Sequence, residues 1–484
     1  MSRGSATDVC LSSVTGVRDP YTVAGEEPYV KSSQSSSSAR LLAACREELP
    51  PVESAASAVD PHVASSQTHR MINIGYNPER DEANVKRLKQ MMTSSIKEGL
   101  STKGYQLVGS HSAVKRCRWV LSSLRKNGGC YKHTFYGIDS HRCMEATTSV
   151  ACANRCTFCW RGTTHPNALK WGSYETDDSV WVVQEMVDKH LNKLIKPLKG
   201  AQVDSDAFSE AMRPRHVALS LVGEPIMYPK MDEFLRVIHS YAPYKMSTFL
   251  VTNGQHPDEL ISLPQVTQLY ISIDASNPEK LKKIDRPLFK DYWERLLASL
   301  KGAAEKGDRQ RKVARLTLLN DINDDDVTGY AKLIDKMKAD FIEIKGATYA
   351  GWDRESTGLT MANCPYFDDI ITFAQKLKVE FGGEYALAAI HEHSCSALLV
   401  RNGLKNALWI DFDEYNRLIE EHYSTDKLGK LMDVPFTEYS LPAPEWAMPT
   451  SATLGMDPDH SRVTELTGEQ LYARTNATEM IQCF

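Results

Sequence analysis

Residues 152–159 read Cys152-Ala-Asn-Arg-Cys156-Thr-Phe-Cys159. Three cysteines at C-x3-C-x2-C spacing in one short loop can bring three thiolates to a single iron–sulfur cube. A cube ligated by three thiolates keeps one iron free of protein. A small molecule carrying an amine and a carboxylate can chelate that iron. Two other readings compete with this one. A structural zinc site calls for paired C-x2-C knuckles and four ligands, which this loop lacks. The third reading is three thiols that merely pack.

Downstream of the loop, short apolar runs alternate with amphipathic stretches. The strand runs are Met144–Val150 leading into the loop, His216–Val222, Met246–Thr252, Gln268–Ile273, Val313–Leu319 and Phe341–Ile344. Helical spacing is found over Val180–Leu194, Met231–Tyr241, Asp291–Ala304, Asp324–Lys338 and Tyr366–Phe381. Pro197–Arg215 reads as an insertion or long loop. Six strands alternating with helices predict an α/β fold with a parallel sheet and right-handed crossovers. Polar residues end five of these strands: Glu224, Asn253, Asp274, Asn320 and Lys345. That edge is where parallel α/β folds bind ligands.

Upstream, Cys117, Cys130 and Cys143 recur every thirteen residues. Equal spacing alone does not make a metal site, and three separate structural thiols remain an alternative. Gly128-Gly129 places a turn before Cys130, and Lys132 follows two residues after it. Between Gly99 and Ile138 there are seven Lys and Arg and no Asp or Glu. That segment suits a phosphate-binding face or a solvated basic surface. The net charge of -5 gives no global nucleic-acid signal. Residues 1–80 are serine-rich and polar, and the reading is a disordered leader. Residues 81–143 form an extension with the upstream cysteines, 144–390 the α/β core, and 391–484 a segment packed on it. No apolar run approaches the ~18–20 residues of a membrane helix, and no secretory signal is visible. His391-Glu-His393 lacks the helical i, i+4 spacing of zinc motifs, which favours packing or substrate contact. Cys10, Cys45 and Cys483 near the ends, and the isolated Cys364 and Cys395, read as packing residues.

The signature loop, with its aromatic Phe158, resembles that of radical S-adenosylmethionine (SAM) enzymes. The wider pattern resembles the tRNA 4-demethylwyosine synthases of wybutosine biosynthesis. It rests on the loop followed by Trp160-Arg161, the thirteen-residue triplet, Cys130-Tyr-Lys132 running into Phe135-Tyr-Gly137, Ser220-Leu-Val-Gly-Glu-Pro225, and Thr252-Asn-Gly254. The resemblance covers about residues 80–440 and implies a partial (βα)6 radical SAM barrel. It implies a 4Fe–4S cluster on Cys152, Cys156 and Cys159, with SAM contacted by Gly223, Glu224, Asn253 and Asp274. It implies a second 4Fe–4S cluster on Cys117, Cys130 and Cys143, and Lys132 as a Schiff-base lysine for pyruvate. Burial or the nearby Arg125, Lys126 and His133 would lower its pKa. The implied reaction joins pyruvate-derived carbons to 1-methylguanosine at position 37 of tRNA(Phe), releasing formate.

Under the resemblance, the basic stretch Lys103–Lys132 is expected to meet anticodon-arm phosphates. Eukaryotic members carry a flavodoxin-like domain, and the first 80 residues are too few and too polar for it. The electron donor is therefore expected to be a separate reductase or ferredoxin. The expected compartment is the cytoplasm, with the mitochondrial matrix as alternative. Two further readings stay open: another radical SAM RNA-modifying enzyme, such as a methyltransferase, and a non-catalytic metal-stabilised RNA-binding protein.

Overall fold

Strands buried on both faces set the architecture. β1 (Gln106–Val108) and β2 (Ser112–Lys115) form a hairpin, and β2 pairs antiparallel with β3 (Cys143–Thr147). Then come β4 (His216–Leu219), β5 (Ser247–Thr252), β6 (Gln268–Ser272), β7 (Lys312–Leu318) and β8 (Phe341–Gly346). From β3 to β8 every neighbouring pair is parallel and in sequence order. β9 (Tyr385–His391) and β10 (Ser396–Arg401) form a second hairpin, with β10 antiparallel to β8. The sheet therefore runs β1-β2-β3-β4-β5-β6-β7-β8-β10-β9. These six parallel strands are the six expected. This computed structural model describes residues 88–159, 166–241, 243–350, 354–424, 434–451 and 453–460. The serine-rich leader, the helix start expected near Asn84, Trp160-Arg161, Cys10, Cys45, Cys483 and the chain end lie outside them.

Because successive strand residues point to opposite faces, each strand serves two cores. One parity, including Val217, Leu250, Ile271, Leu316 and Ile344, packs with helix residues such as Val183, Phe234, Leu300, Ile334 and Leu377. The other parity, Cys143, Ala218, Phe249, Tyr270, Val313 and Phe341, packs with Phe135 and Tyr136. The Tyr136 ring meets Phe249, Tyr270 and Phe341 edge-on, with ring centroids 5.5, 6.5 and 6.2 Å away. One side chain thus touches β5, β6 and β8, so the sheet curls around it. An aromatic plug fills the lumen near the strand starts. Farther along the same parity lie Glu145, Ser272, Arg315 and Glu343, and beyond them Asp274, Thr317 and Lys345. Polar residues therefore line the lumen towards the carboxyl ends of the strands.

Two segments differ from the sequence reading. Pro197–Arg215 is not one long loop, since it holds the helix Ser205–Ala211. Asp204 caps it by accepting from the amides of Asp206 and Ala207, and Ala207 and Ala211 pack against Val120 and Leu124. The apolar run Ala397–Val400 is a strand buried on both faces, which hides any alternation. Asp326 is the N-cap of the helix Val327–Met337, accepting from Gly329 N at 3.0 Å. Among the described residues, no helix is long and apolar enough to cross a membrane.

Candidate active site

The signature loop is tied to a segment far away in sequence. Arg155 N donates to Asp285 O (2.9 Å), Thr157 N to Ile284 O (2.8 Å), and Leu288 N to Ala153 O (2.9 Å). Cys152 is buried, while Cys156 and Cys159 are partly open. Cys152 Sγ accepts from Asn154 N and from Asn253 Nδ2, both at 3.4 Å. Such N–H···S contacts favour the charged, ligating form of sulfur. Burial pushes the Cys156 thiol well up, and Asp285, Cys159 and Cys152 add to it by like charge. The three sulfurs share one short loop and repel one another as thiolates. A cation or cluster there would relieve that repulsion.

Glu224 and Asn253 stand beside this loop, as expected. Glu224 Oε2 accepts from Asn253 N at 3.1 Å, and Glu224 N donates to Ala151 O at 2.8 Å. Gly223 has φ +73, and a Cβ there would fall 2.0 Å from Ser149 O. Only glycine fits this close backbone approach. Asp274 is buried and accepts from Thr317 N at 3.3 Å. Burial pushes its carboxyl up to about 6. Asn320 turns instead to Asp369 of the helix Phe367–Glu380.

The upstream cysteines are brought together by tertiary structure. Cys117 precedes the helix Arg118–Leu124, Cys130 precedes the helix Tyr131–Tyr136, and Cys143 opens β3. Cys130 N donates to Ser140 Oγ at 2.9 Å, and the helix after Cys117 packs on the Ser140–Arg142 turn that leads into Cys143. Burial pushes the Cys143 thiol up to about 12. Between these sulfurs and the lumen lies Lys132, 7% exposed, with Nζ 3.9 Å from Cys143 Sγ and 3.4 Å from Glu145 Oε1. Cys143 and Glu145 are two apart on β3, so both face Lys132.

The charge environment of Lys132 corrects the sequence reading. Burial alone would lower its pKa, but Cys143, Glu145 and Cys130 outweigh it and hold the group well above its usual range. The cations expected to lower it face elsewhere. Arg125 donates to Ala201 O, Lys126 pairs with Asp204, and His133 pairs with Asp457 at 2.8 Å. Nor do the basic residues of this segment share one face. Lys132 is inside the lumen, and Lys115 lies 4.7 Å over the Tyr105 ring. Lys103, Arg118, Arg125 and Lys126 are exposed.

Between the two triads the lumen carries charges that spacing does not reveal. Arg315 Nε lies 3.9 Å from Glu343 Oε1, and Tyr136 Oη donates to Glu343 Oε2 at 3.2 Å. Lys345 Nζ donates to Ser394 O at 3.0 Å, and burial drops its pKa to about 8. Asp285, Asn154, Glu145 and Arg315 were not among the residues singled out by sequence. Only the strand parity of Glu145 and Arg315 offered a signal. Among the described residues no three His, Cys, Asp or Glu side chains form a single-ion cage. A cubane spreads its thiolates wider than one ion does, and the open, mutually repelling triad at Cys152, Cys156 and Cys159 fits the larger group.

Comparison with known proteins agrees with this geometry. The radical SAM superfamily model matches residues 147–334, and the model for wyosine base formation matches residues 336–401. Human S-adenosyl-L-methionine-dependent tRNA 4-demethylwyosine synthase TYW1 is 45% identical over 395 residues, 81% of this chain and 52% of its own length. The Oryza sativa synthase is 46% identical over 384 residues, 78% of this chain and 56% of its own. The chain thus spans about half the length of the curated relatives it matches. A solved structure of TYW1 with a lysine-pyruvate adduct bound is 32% identical with a TM-score of 0.56, covering 64% of this chain and 97% of that one. An archaeal TYW1 crystal structure is 30% identical with a TM-score of 0.51 and the same coverage. Matched along nearly the whole length of those solved chains, this protein belongs to the TYW1 family of radical SAM proteins.

Proposed function

We propose that the chain is a radical SAM enzyme that forms the wyosine base on tRNA. On this reading it condenses pyruvate-derived carbons with 1-methylguanosine to give 4-demethylwyosine. Cys152, Cys156 and Cys159 would hold a 4Fe–4S cluster, and Cys117, Cys130 and Cys143 a second. When bound, the clusters and SAM supply the electron, the 5′-deoxyadenosyl radical and a Lewis-acidic iron. The chain's own groups do the rest. Asn154 and Asn253 donate to Cys152 and fix its sulfur. Gly223 lets the backbone approach the SAM amine closely, and Glu224 and Asp274 supply carboxylates on that edge of the lumen.

Lys132 carries the covalent step. Its Nζ attacks the ketone carbon of pyruvate, the carbonyl oxygen leaves as water, and an imine forms. With iron bound to Cys143 and Cys130, the thiolate charge that holds the ammonium would be neutralised, and Glu145, at 3.4 Å, would then take the proton that frees the amine. The aromatic plug beneath the site keeps bulk water out and preserves the imine.

The observation that carries this reading is a buried lysine set between a cysteine triad and a carboxylate, in a chain similar to a TYW1 that holds a lysine-pyruvate adduct. The test is borohydride trapping with labelled pyruvate, followed by peptide mapping. Label on the peptide with Lys132, lost in Lys132→Ala, is expected. Equal labelling of Lys132→Ala would overturn the assignment.

A further inference from the structure

Beside the helix Tyr131–Tyr136, which contributes His133 and Thr134 to its wall, lies a cavity of about 320 Å³. Its lining includes Trp119, Asn127, His133, His391, His393 and Asp457. This volume is in the range of small-ligand sites. The wall is lined by aromatic rings. The Trp119 and His391 rings meet edge-on at 5.9 Å, and His391 and His393 at 6.4 Å. His133 is held by Asp457 on one edge and stacked on Trp446 at 5.5 Å. His391 is 3% exposed, and its Nδ1 has no hydrogen-bond partner among the described residues. A buried ring nitrogen left without a partner is costly unless a ligand meets it.

The cavity shares its walls with the proposed reaction site. Gly129, on its rim, precedes Cys130. The turn Glu392–Ser394, which carries His393, accepts Lys345 Nζ from the lumen mouth. Arg118 is exposed at the rim, 5.1 Å over the Trp119 ring. An occupant therefore sits next to whatever enters the lumen. If a loop nucleotide is splayed into the lumen, its neighbour loses a stacking partner and needs another planar surface.

We propose that this cavity, lined by Trp119, His391 and His393, binds the base of the nucleotide adjacent to the target purine, and that Arg118 holds the intervening phosphate. The proposal rests on the tRNA reading above. The neighbour's base stacks on Trp119, and its edge faces the exposed His393 ring. The anticodon arm is thus anchored by two unstacked bases, one in the lumen and one outside it.

The test is binding of labelled anticodon stem–loop RNAs to the full chain with reconstituted clusters, at fixed salt. One RNA is intact, and two carry an abasic nucleotide on the 5′ or the 3′ side of the target. One of the abasic RNAs is expected to bind the parent about tenfold more weakly, the scale of one lost base–aromatic stack. Trp119→Ala should lose a similar factor for intact RNA and no more for that abasic RNA, while Trp119→Phe should bind like the parent. His393→Ala, at the exposed rim, repeats the cycle should Trp119→Ala fail to fold. Losses that simply add, or a parent that binds both abasic RNAs as tightly as intact RNA, would overturn the cavity assignment. A parent that binds no stem–loop at all would overturn the tRNA reading itself.

Discussion

The two cysteine triads are held in the chain by different routes. Cys152, Cys156 and Cys159 lie within eight residues, so chain connectivity alone keeps them close. Cys117, Cys130 and Cys143 are assembled by two helix starts and a strand. The first triad is therefore a property of the loop, and the second a property of the fold. A loop triad keeps its ligands near one another when the fold loosens, whereas a fold triad disperses. The loop triad faces Asn253, Glu224 and Gly223, while the fold triad faces a lysine and a carboxylate. On the proposed function, the contrast separates radical generation from substrate capture.

The largest effect that separates them is expected from Cys156→Ala. SAM cleavage to 5′-deoxyadenosine should fall to background, while pyruvate trapping on Lys132 survives. Loss of both together would break the division of labour. Glu145→Gln should act on the other side. It should slow imine formation by about a hundredfold, the scale of a lost general base, and leave SAM cleavage in place. Equal slowing of both reactions would place Glu145 in a structural role.

Gly223→Ala should destabilise by about 1–3 kcal/mol, since φ +73 and a 2.0 Å approach to Ser149 O both resist a side chain. It should weaken SAM binding without changing pyruvate trapping, which a melting curve and a binding titration would show. The smallest effect concerns neither triad. Burial holds His190 down to about 4 and His239 down to about 3. Both stay neutral when folded, whereas in the unfolded chain they take up protons below about pH 6.5. Stability should therefore fall as pH drops from about 6.5 towards 4. On acidification the cluster held by the fold triad should be released before the one held by the loop triad, and release of both in a single step would argue against the contrast.

The same contrast explains what the sequence made legible. Each of the six parallel strands is a short apolar run ended by turn residues, so the core fold could be read locally. The signature loop was readable because its ligands are close in sequence. The hairpin β9–β10 was not, because β10 is buried along nearly its whole length and shows no period of two. The helix Ser205–Ala211 was missed because only Ala207 and Ala211 mark its buried face. Asp285 and Arg315 were invisible because their partners stand on other strands and loops. The environment of Lys132 was misread for a related reason: nearness in sequence to Arg125 and Lys126 does not place those cations near its amine.

The most direct test of the two-triad account is iron and sulfide content after anaerobic reconstitution. The parent is compared with a variant carrying Cys117→Ala, Cys130→Ala and Cys143→Ala. The account predicts about eight irons in the parent and about four in the variant, with SAM cleavage retained and pyruvate trapping altered. About four irons in both would contradict it and leave the upstream cysteines as packing residues around Lys132.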